Sequence, residues 1–424
     1  MKLHPSTGLH GTISVPGDKS VSHRSVMLGA LADGVTHVSG FLMGEDCLST
    51  IDCFRKMGVP IEVGDDRTVT VHGVGLHGLK QPVERLYTGN SGTTTRLISG
   101  ILSGQSFEVS LTGDASIEKR PMGRIIQPLR QMGADITGVD DKFCPLTIRP
   151  GKLHGIEYTL PVASAQLKSA ILLAGLYADT PTTVIEPAPS RDHTERMLRA
   201  LGCRVDTDGC RITLYPPEKL TARDVIVPAD ISSAAFFLVA GAIVPNSEIT
   251  IRDVGVNPTR DGVIEVLKNM GADITLSNLR DEGEPICDIT VRSSQLHGVE
   301  IGGAVIPRLI DELPVLAVAA AFAQGETVIR DAAELKVKES NRIAAMVSEL
   351  SRAGADVTET EDGMIIRGGR PLHGAAFETY HDHRIAMSMA VCALACSGDS
   401  EILDENVVAI SYPDFFDALH RLGG

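Results

Sequence analysis

The chain has 424 residues, 43% of them hydrophobic but only 4% aromatic, with no Trp. Its 39 Lys and Arg against 54 Asp and Glu leave a net charge of -15. That balance disfavours nucleic acid and anionic membrane as partners, and the lack of aromatic rings removes the stacking platforms of single-strand binders. The length exceeds what one hydrophobic core usually organises, so two domains are expected, and any anionic ligand must be held by locally gathered cations.

The opening stretch MKLHPSTGLHG has neither the apolar core of a secretory signal nor an Arg/Ser-rich transit pattern, so a cytosolic chain is expected. Apolar runs such as Pro314–Phe322 fall short of the roughly 18 to 20 residues of a membrane span. Eight Cys occur without a CxxC pair or Cys/His metal spacing, and Cys392 with Cys396 sits in an Ala-rich run that reads as buried helix; reduced structural thiols follow.

In chain order, the tripeptide Leu-His-Gly or a close relative begins a unit at Leu9, Leu76, Leu153, Leu220, Leu296 and Leu372, with starts 67 to 77 residues apart. After each start comes a helix that is apolar nearly all round: HRSVMLGALA, TTRLISGILSG, AQLKSAILLAGLYA, SSAAFFLVAGAI, ELPVLAVAAAFAQ and RIAMSMAVCALA. A strand such as THVSGF or ETVIRD follows, then an amphipathic helix closed by Gly: FRKMG, LRQMG, LRALG, LKNMG, LSRAG and LHRLG. Each unit therefore reads strand, buried helix, strand, surface helix, strand, strand, and the sixth stops after its surface helix.

Six units in two domains give three per domain, with apolar helices inside and sheets as walls. The opening strand GTISVPG has no preceding unit to pair with, and the last unit lacks its terminal strands. Pairing the two ends in one domain answers both deficits. It predicts a discontinuous domain, 1–18 with 228–424, and an inserted domain, 19–227.

Polar residues crowd the first turns of the apolar helices: Lys19, Ser20, His23 and Arg24; Asn90 to Thr93 with Arg96; Ser164, Gln166 and Lys168; Asp230, Ser232 and Ser233; Asp311 and Glu312; Asp382, His383 and Arg384. Capping accounts for Ser, Thr, Asp and Asn there. It does not account for Lys and Arg, which oppose the helix dipole unless an anion binds among them. The surface-helix starts add Lys119, Arg120, Arg191, Lys336, Lys338, Glu339 and Arg342. Each alone reads equally well as a solvated charge; together they describe a site for ligands of several negative charges.

PGDKSVSHR at 16–24, GNSGTTTR at 89–96, KRP at 119–121, SAQLKSA at 164–170, PRLIDELP at 307–314, KVKESNR at 336–342, HDHR at 381–384 and YPDFF at 412–416 resemble, in order, the signature stretches of the EPSP synthase family. The resemblance implies an α/β fold of two inside-out, barrel-like domains, each of three βαβαββ units, that close on substrate. It implies transfer of the enolpyruvyl group of phosphoenolpyruvate to shikimate 3-phosphate in a cleft between the domains of a cytoplasmic monomer. It also implies roles. Lys19 contacts both substrates. Ser20 and Arg24 take the shikimate carboxylate side; Ser164, Ala165 and Gln166, with Arg191, hold the 3-phosphate. Gly92, Arg120, Gln166, Arg342 and Arg384 surround phosphoenolpyruvate. Asp311 and Lys338 bind shikimate hydroxyls, and Glu339 stands near the reacting carbons.

The residue types suit that chemistry. Attack of a ring hydroxyl on an enol ether asks for a base at the hydroxyl and an acid at the methylene; Asp311 is the expected base, and Glu339 and Lys19 are equally open as the acid. Lys and Arg can stabilise the leaving phosphate, so no metal or cofactor is expected.

Ala165 replaces a second Ser of some members, and Ile410 stands where others carry a Lys over phosphoenolpyruvate. Gly92, kept where some relatives have Ala, implies sensitivity to glyphosate. Two rivals are weaker. The sister enzyme acting on UDP-N-acetylglucosamine has Lys-Asn where this chain has Lys19-Ser20, and a loop Cys where it has Ser116. A repeat scaffold without activity leaves the charges at the buried-helix starts unexplained. His10, His77, His154, His297 and His373 belong to the opening tripeptide and read as turn residues, not ligands; His383 either orients substrate or caps.

Overall fold

Residues 1–281 and 283–423 are described by a computed structural model. Because six segments lack a polar face, six helices must be enclosed on all sides. They are Lys19–Leu31, Gly92–Leu102, Ala165–Gly175, Ile231–Ile243, Leu313–Phe322 and His383–Ala395. In the fourth, every residue from Ile231 to Ala242 is buried. Contacts divide the chain into two bodies, residues 1–16 with 228–424 and residues 17–227. Each has its own apolar core, and three of the six helices lie in each.

One sheet plan recurs. In repeat three, Glu157–Thr159 runs parallel to Thr182–Ile185, which pairs antiparallel with Arg211–Leu214, itself antiparallel to Val205–Asp208. Repeats two and five repeat this order exactly as to strand sequence. The strands alternate buried and more open positions, as in Phe143–Arg149, where buried and half-buried residues alternate, so each sheet lays one face on the buried helices and turns the other outward. The six surface helices end at Gly58, Gly133, Gly202, Gly271, Gly354 and Gly423, all with left-handed φ between 86° and 99°. Only Gly takes that conformation without a steric cost, which is why the motif survives in every copy.

The chain ends behave differently from the expectation. The opening strand, His10–Ile13, pairs with Glu248–Gly255 in the sheet of repeat four, not with the last repeat. It is Lys2–Leu3 that pairs with Ser400–Ile402 and completes the short sixth sheet. In the inserted body, Leu220–Thr221 and Val225–Ile226 take the corresponding edge beside Ala32–Ser39. Repeats one and four have thus exchanged first strands. Each sheet gains a parallel edge partner, and the exposed ladder that an unpaired strand would leave is avoided.

Candidate active site

In the inserted body, Asp18 caps the first buried helix by accepting from the Val21 amide, at 2.9 Å, and Lys19 opens the helix. The Lys19 ammonium forms an ion pair with Asp46. Ser20 is half-buried beside it. Arg24 is buried: its guanidinium donates to the Ser20 carbonyl at 2.9 Å, to Ser169 Oγ at 2.8 Å and to Thr194 Oγ1 at 2.6 Å. It thereby ties the first helix to the third and to the surface helix His193–Ala200.

The second helix start is tied in the same way. His23 Nδ1 meets Thr50 Oγ1 at 2.7 Å, Thr50 meets Thr94 at 2.7 Å, and Thr94 donates to the capping Ser91 at 2.7 Å. Burial, with Lys19 close by, pushes the His23 pKa down to about 3, so the ring is neutral at pH 7. Arg96 donates to Gln166 Oε1 at 2.5 Å, and Gln166 Nε2 donates to Thr93 at 3.0 Å. Arg120 donates to Asn90 Oδ1 at 2.7 Å. A Cβ on Gly92 would lie 3.0 Å from an Arg96 nitrogen and 3.3 Å from an Arg120 nitrogen. Gly92, Arg120 and Gln166 therefore belong to one cluster. Ser164 caps the third helix through the Leu167 amide, Ala165 follows it, and Arg191 lies half-buried in the turn before His193.

In the discontinuous body, Asp311, Lys338, Glu339, Arg342 and Arg384 are joined directly. Lys338 Nζ lies 3.2 Å from Asp311 Oδ1, and Arg342 Nη1 lies 3.4 Å from the same oxygen. Arg342 also donates to Glu339 at 2.6 Å and to both oxygens of Asp382, at 2.8 and 3.2 Å. Arg384 donates to the main-chain oxygen of Asp311 at 3.2 Å. Burial disfavours the Arg342 charge, but Asp382, Glu339 and Asp311 outweigh it and raise the guanidinium pKa. Burial likewise works against an ionised Asp382, and Arg342 and His383 reverse the balance, holding its carboxyl below the ordinary range. His383, buried, is lowered to about 4.

Three features escaped the sequence reading. Arg96 is a bridge between two helix starts. Arg260 is buried among Asp230, Ser232 and Glu312 in repeat four, in the place Arg342 holds in repeat five. Lys168 turns away from its helix start into the core. The NPTR stretch at 257–260, set beside ESNR at 339–342, carries a signal for the second.

The sequence model of the family described as EPSP synthase (3-phosphoshikimate 1-carboxyvinyltransferase) matches residues 3–419. The 3-phosphoshikimate 1-carboxyvinyltransferase of Thermoanaerobacter sp. strain X514 is 56% identical, covering 98% of both chains. That of Geobacillus kaustophilus is 57% identical over 98% of both. A solved EPSP synthase from Acinetobacter baumannii superposes with a TM-score of 0.91 at 51% identity, covering 100% of this chain and 98% of its own. With matches of this identity along the entire length, and with the family's signature residues at the helix starts described above, the chain belongs to the EPSP synthase family.

Proposed function

We propose that this protein transfers the enolpyruvyl group of phosphoenolpyruvate to the 5-hydroxyl of shikimate 3-phosphate and releases phosphate, a step of the shikimate pathway to chorismate. The observation that carries the reading is the carboxylate of Asp311, partly exposed and held between Lys338 and Arg342. A base held from two sides in this way keeps its orientation until a hydroxyl arrives.

In the addition step the hydroxyl oxygen attacks C2 of phosphoenolpyruvate while Asp311 takes its proton. The methylene carbon gains a proton from Glu339 or Lys19 and becomes a methyl group. In the elimination step the methyl group returns a proton, the double bond re-forms and phosphate leaves. The charge that develops on the phosphate is met by Arg120, Arg342 and Arg384 with Lys19, and the route calls on no metal or organic cofactor. Gly92 leaves room beside the guanidinium groups of Arg96 and Arg120. Lys338 and Asp311 bind ring hydroxyls. Ser164, Ala165 and Gln166, through the start of their helix, take the 3-phosphate with Arg191, and Ser20 with Arg24 takes the carboxylate side.

We place the enzyme in the cytoplasm as a monomer. No helix among the described residues is long and apolar enough to cross a membrane. A coupled assay of phosphate release tests the activity, with shikimate 3-phosphate in one arm and UDP-N-acetylglucosamine in the other. Turnover is expected in the first arm alone; release only in the second would overturn the reading.

A further inference from the structure

Lys168 stands one turn into the buried helix Ala165–Gly175, and the chemistry above gives it no task. Its side chain is 1% exposed, and its ammonium lies 2.9 Å from Glu186 Oε2 and 2.7 Å from Glu195 Oε1. It donates as well to the Ser190 carbonyl, at 3.3 Å. Glu186 follows the strand Thr182–Ile185, and Glu195 lies in the first turn of the helix His193–Ala200. Between them Ser190 donates to Glu186 twice, through its hydroxyl and, at 3.4 Å, through its amide. The turn 186–192 is thus gripped at its start, its middle and the helix it leads into.

Two carboxylates and one ammonium in a dry space are an expensive way to fill volume, because each ion loses its water. Apolar side chains of similar size would serve stability as well or better. Burial pushes the Glu195 carboxyl pKa up, with Lys168 pulling against it, and Glu195 Oε2 has no hydrogen-bond partner among the described residues. What apolar packing could not do is fix the register of the turn. Arg191 sits on that turn, and the Lys168 amide donates to the carbonyl of Ser164 at 3.0 Å.

We propose that Lys168 is a positioning residue for the phosphorylated substrate: through Glu186, Ser190 and Glu195 it sets the turn bearing Arg191 against the helix start bearing Ser164 and Gln166. The inference rests on the reading of those residues as the 3-phosphate subsite. It predicts that Lys168 governs affinity for shikimate 3-phosphate and leaves phosphoenolpyruvate and turnover nearly untouched.

Steady-state kinetics and thermal unfolding of Lys168→Met, Glu186→Gln and the triple variant Lys168→Met/Glu186→Gln/Glu195→Gln test it. Lys168→Met is expected to raise KM for shikimate 3-phosphate by about tenfold or more, with kcat and KM for phosphoenolpyruvate within about threefold. The triple variant, free of buried charge, should recover the lost stability yet keep the raised KM. Recovery of KM together with stability would show that Lys168 serves charge balance alone and would overturn the proposal. So would equal changes in both KM values. Should Lys168→Met fail to fold, Glu186→Gln and the triple variant decide, because each loosens the turn. An unmodified protein with no activity on shikimate 3-phosphate would instead sink the reading of the site.

Discussion

The two bodies of this chain are built from one repeat, and they differ in the acceptors that the guanidinium groups near their helix starts engage, although Lys19 and Lys168 of the inserted body also meet carboxylates. In the inserted body Arg24, Arg96 and Arg120 draw on neutral acceptors: the hydroxyls of Ser169 and Thr194, the amide oxygens of Gln166 and Asn90, and the Ser20 carbonyl. In the discontinuous body Arg342 meets Asp311, Glu339 and Asp382. Neutral acceptors orient a guanidinium without cancelling its charge, which suits the gripping of anionic substrates. Carboxylates around a buried guanidinium are fixed in place, and that of Asp382 is held below the ordinary carboxyl range.

The sharpest way to break that comparison is to remove one cation from each body. Arg342→Met should cost about 3–5 kcal/mol, because three carboxylates lose their buried partner, and Arg24→Met should cost about 1–3 kcal/mol, because the Ser169 and Thr194 hydroxyls and the Ser20 carbonyl lose a donor. Urea unfolding of both variants measures the difference; equal costs would erase the distinction. Asp311→Asn comes next in size. It should lower kcat by about 100- to 10,000-fold while the protein stays folded, since the amide cannot take the hydroxyl proton.

Each body also buries a neutral His near the start of an enclosed helix, His23 and His383, with pKa values lowered to about 3 and about 4. In the unfolded chain both return to about 6.5. Between those limits the unfolded state binds more protons, so stability is full above about pH 6.5 and falls as the pH drops toward the folded values. By pH 4.5 each His should cost about 2–3 kcal/mol. Denaturant titrations at pH 7 and 4.5 on His23→Gln and His383→Gln should each show that much less acid loss; a variant that keeps the full loss would exonerate its His. The smallest effect concerns Gly92→Ala. The added methyl presses on Arg96 and Arg120 by a few tenths of an ångström, so KM for phosphoenolpyruvate should rise several-fold. Inhibition by glyphosate should weaken by about tenfold or more, equivalent to about 1.4 kcal/mol. Unchanged inhibition would mean that the competitor does not lie against Gly92.

Much of this molecule was legible in the one-dimensional pattern. A segment that is apolar all round, such as Ile231–Ile243, has no choice but the interior, and a Gly after an amphipathic helix, such as Gly271, has few roles other than the left-handed cap. Lys, Arg and carboxylates at the starts of enclosed helices announced chemistry, because neither packing nor capping asks for them. The partner of each charge was not legible. Lys168 and Arg191 looked equivalent as helix-start cations, and only the packed chain shows Lys168 turned inward on Glu186 and Glu195.

What the sequence determined by itself was the sixfold unit, the layering of helices within sheets and the set of residues from which a site could be assembled. The repeat and the enclosure of its apolar helices follow from periodicity and residue type, while the inside-out layering and the residue roles came with the family resemblance. Tertiary structure alone decided that repeats one and four exchange first strands, that Lys2–Leu3 completes the sixth sheet, and that Arg342 gathers three carboxylates. Those outcomes depend on hydrogen bonds between segments far apart in the chain. Which distant strand edge or carboxylate is met is settled by packing, on which local pattern has no bearing.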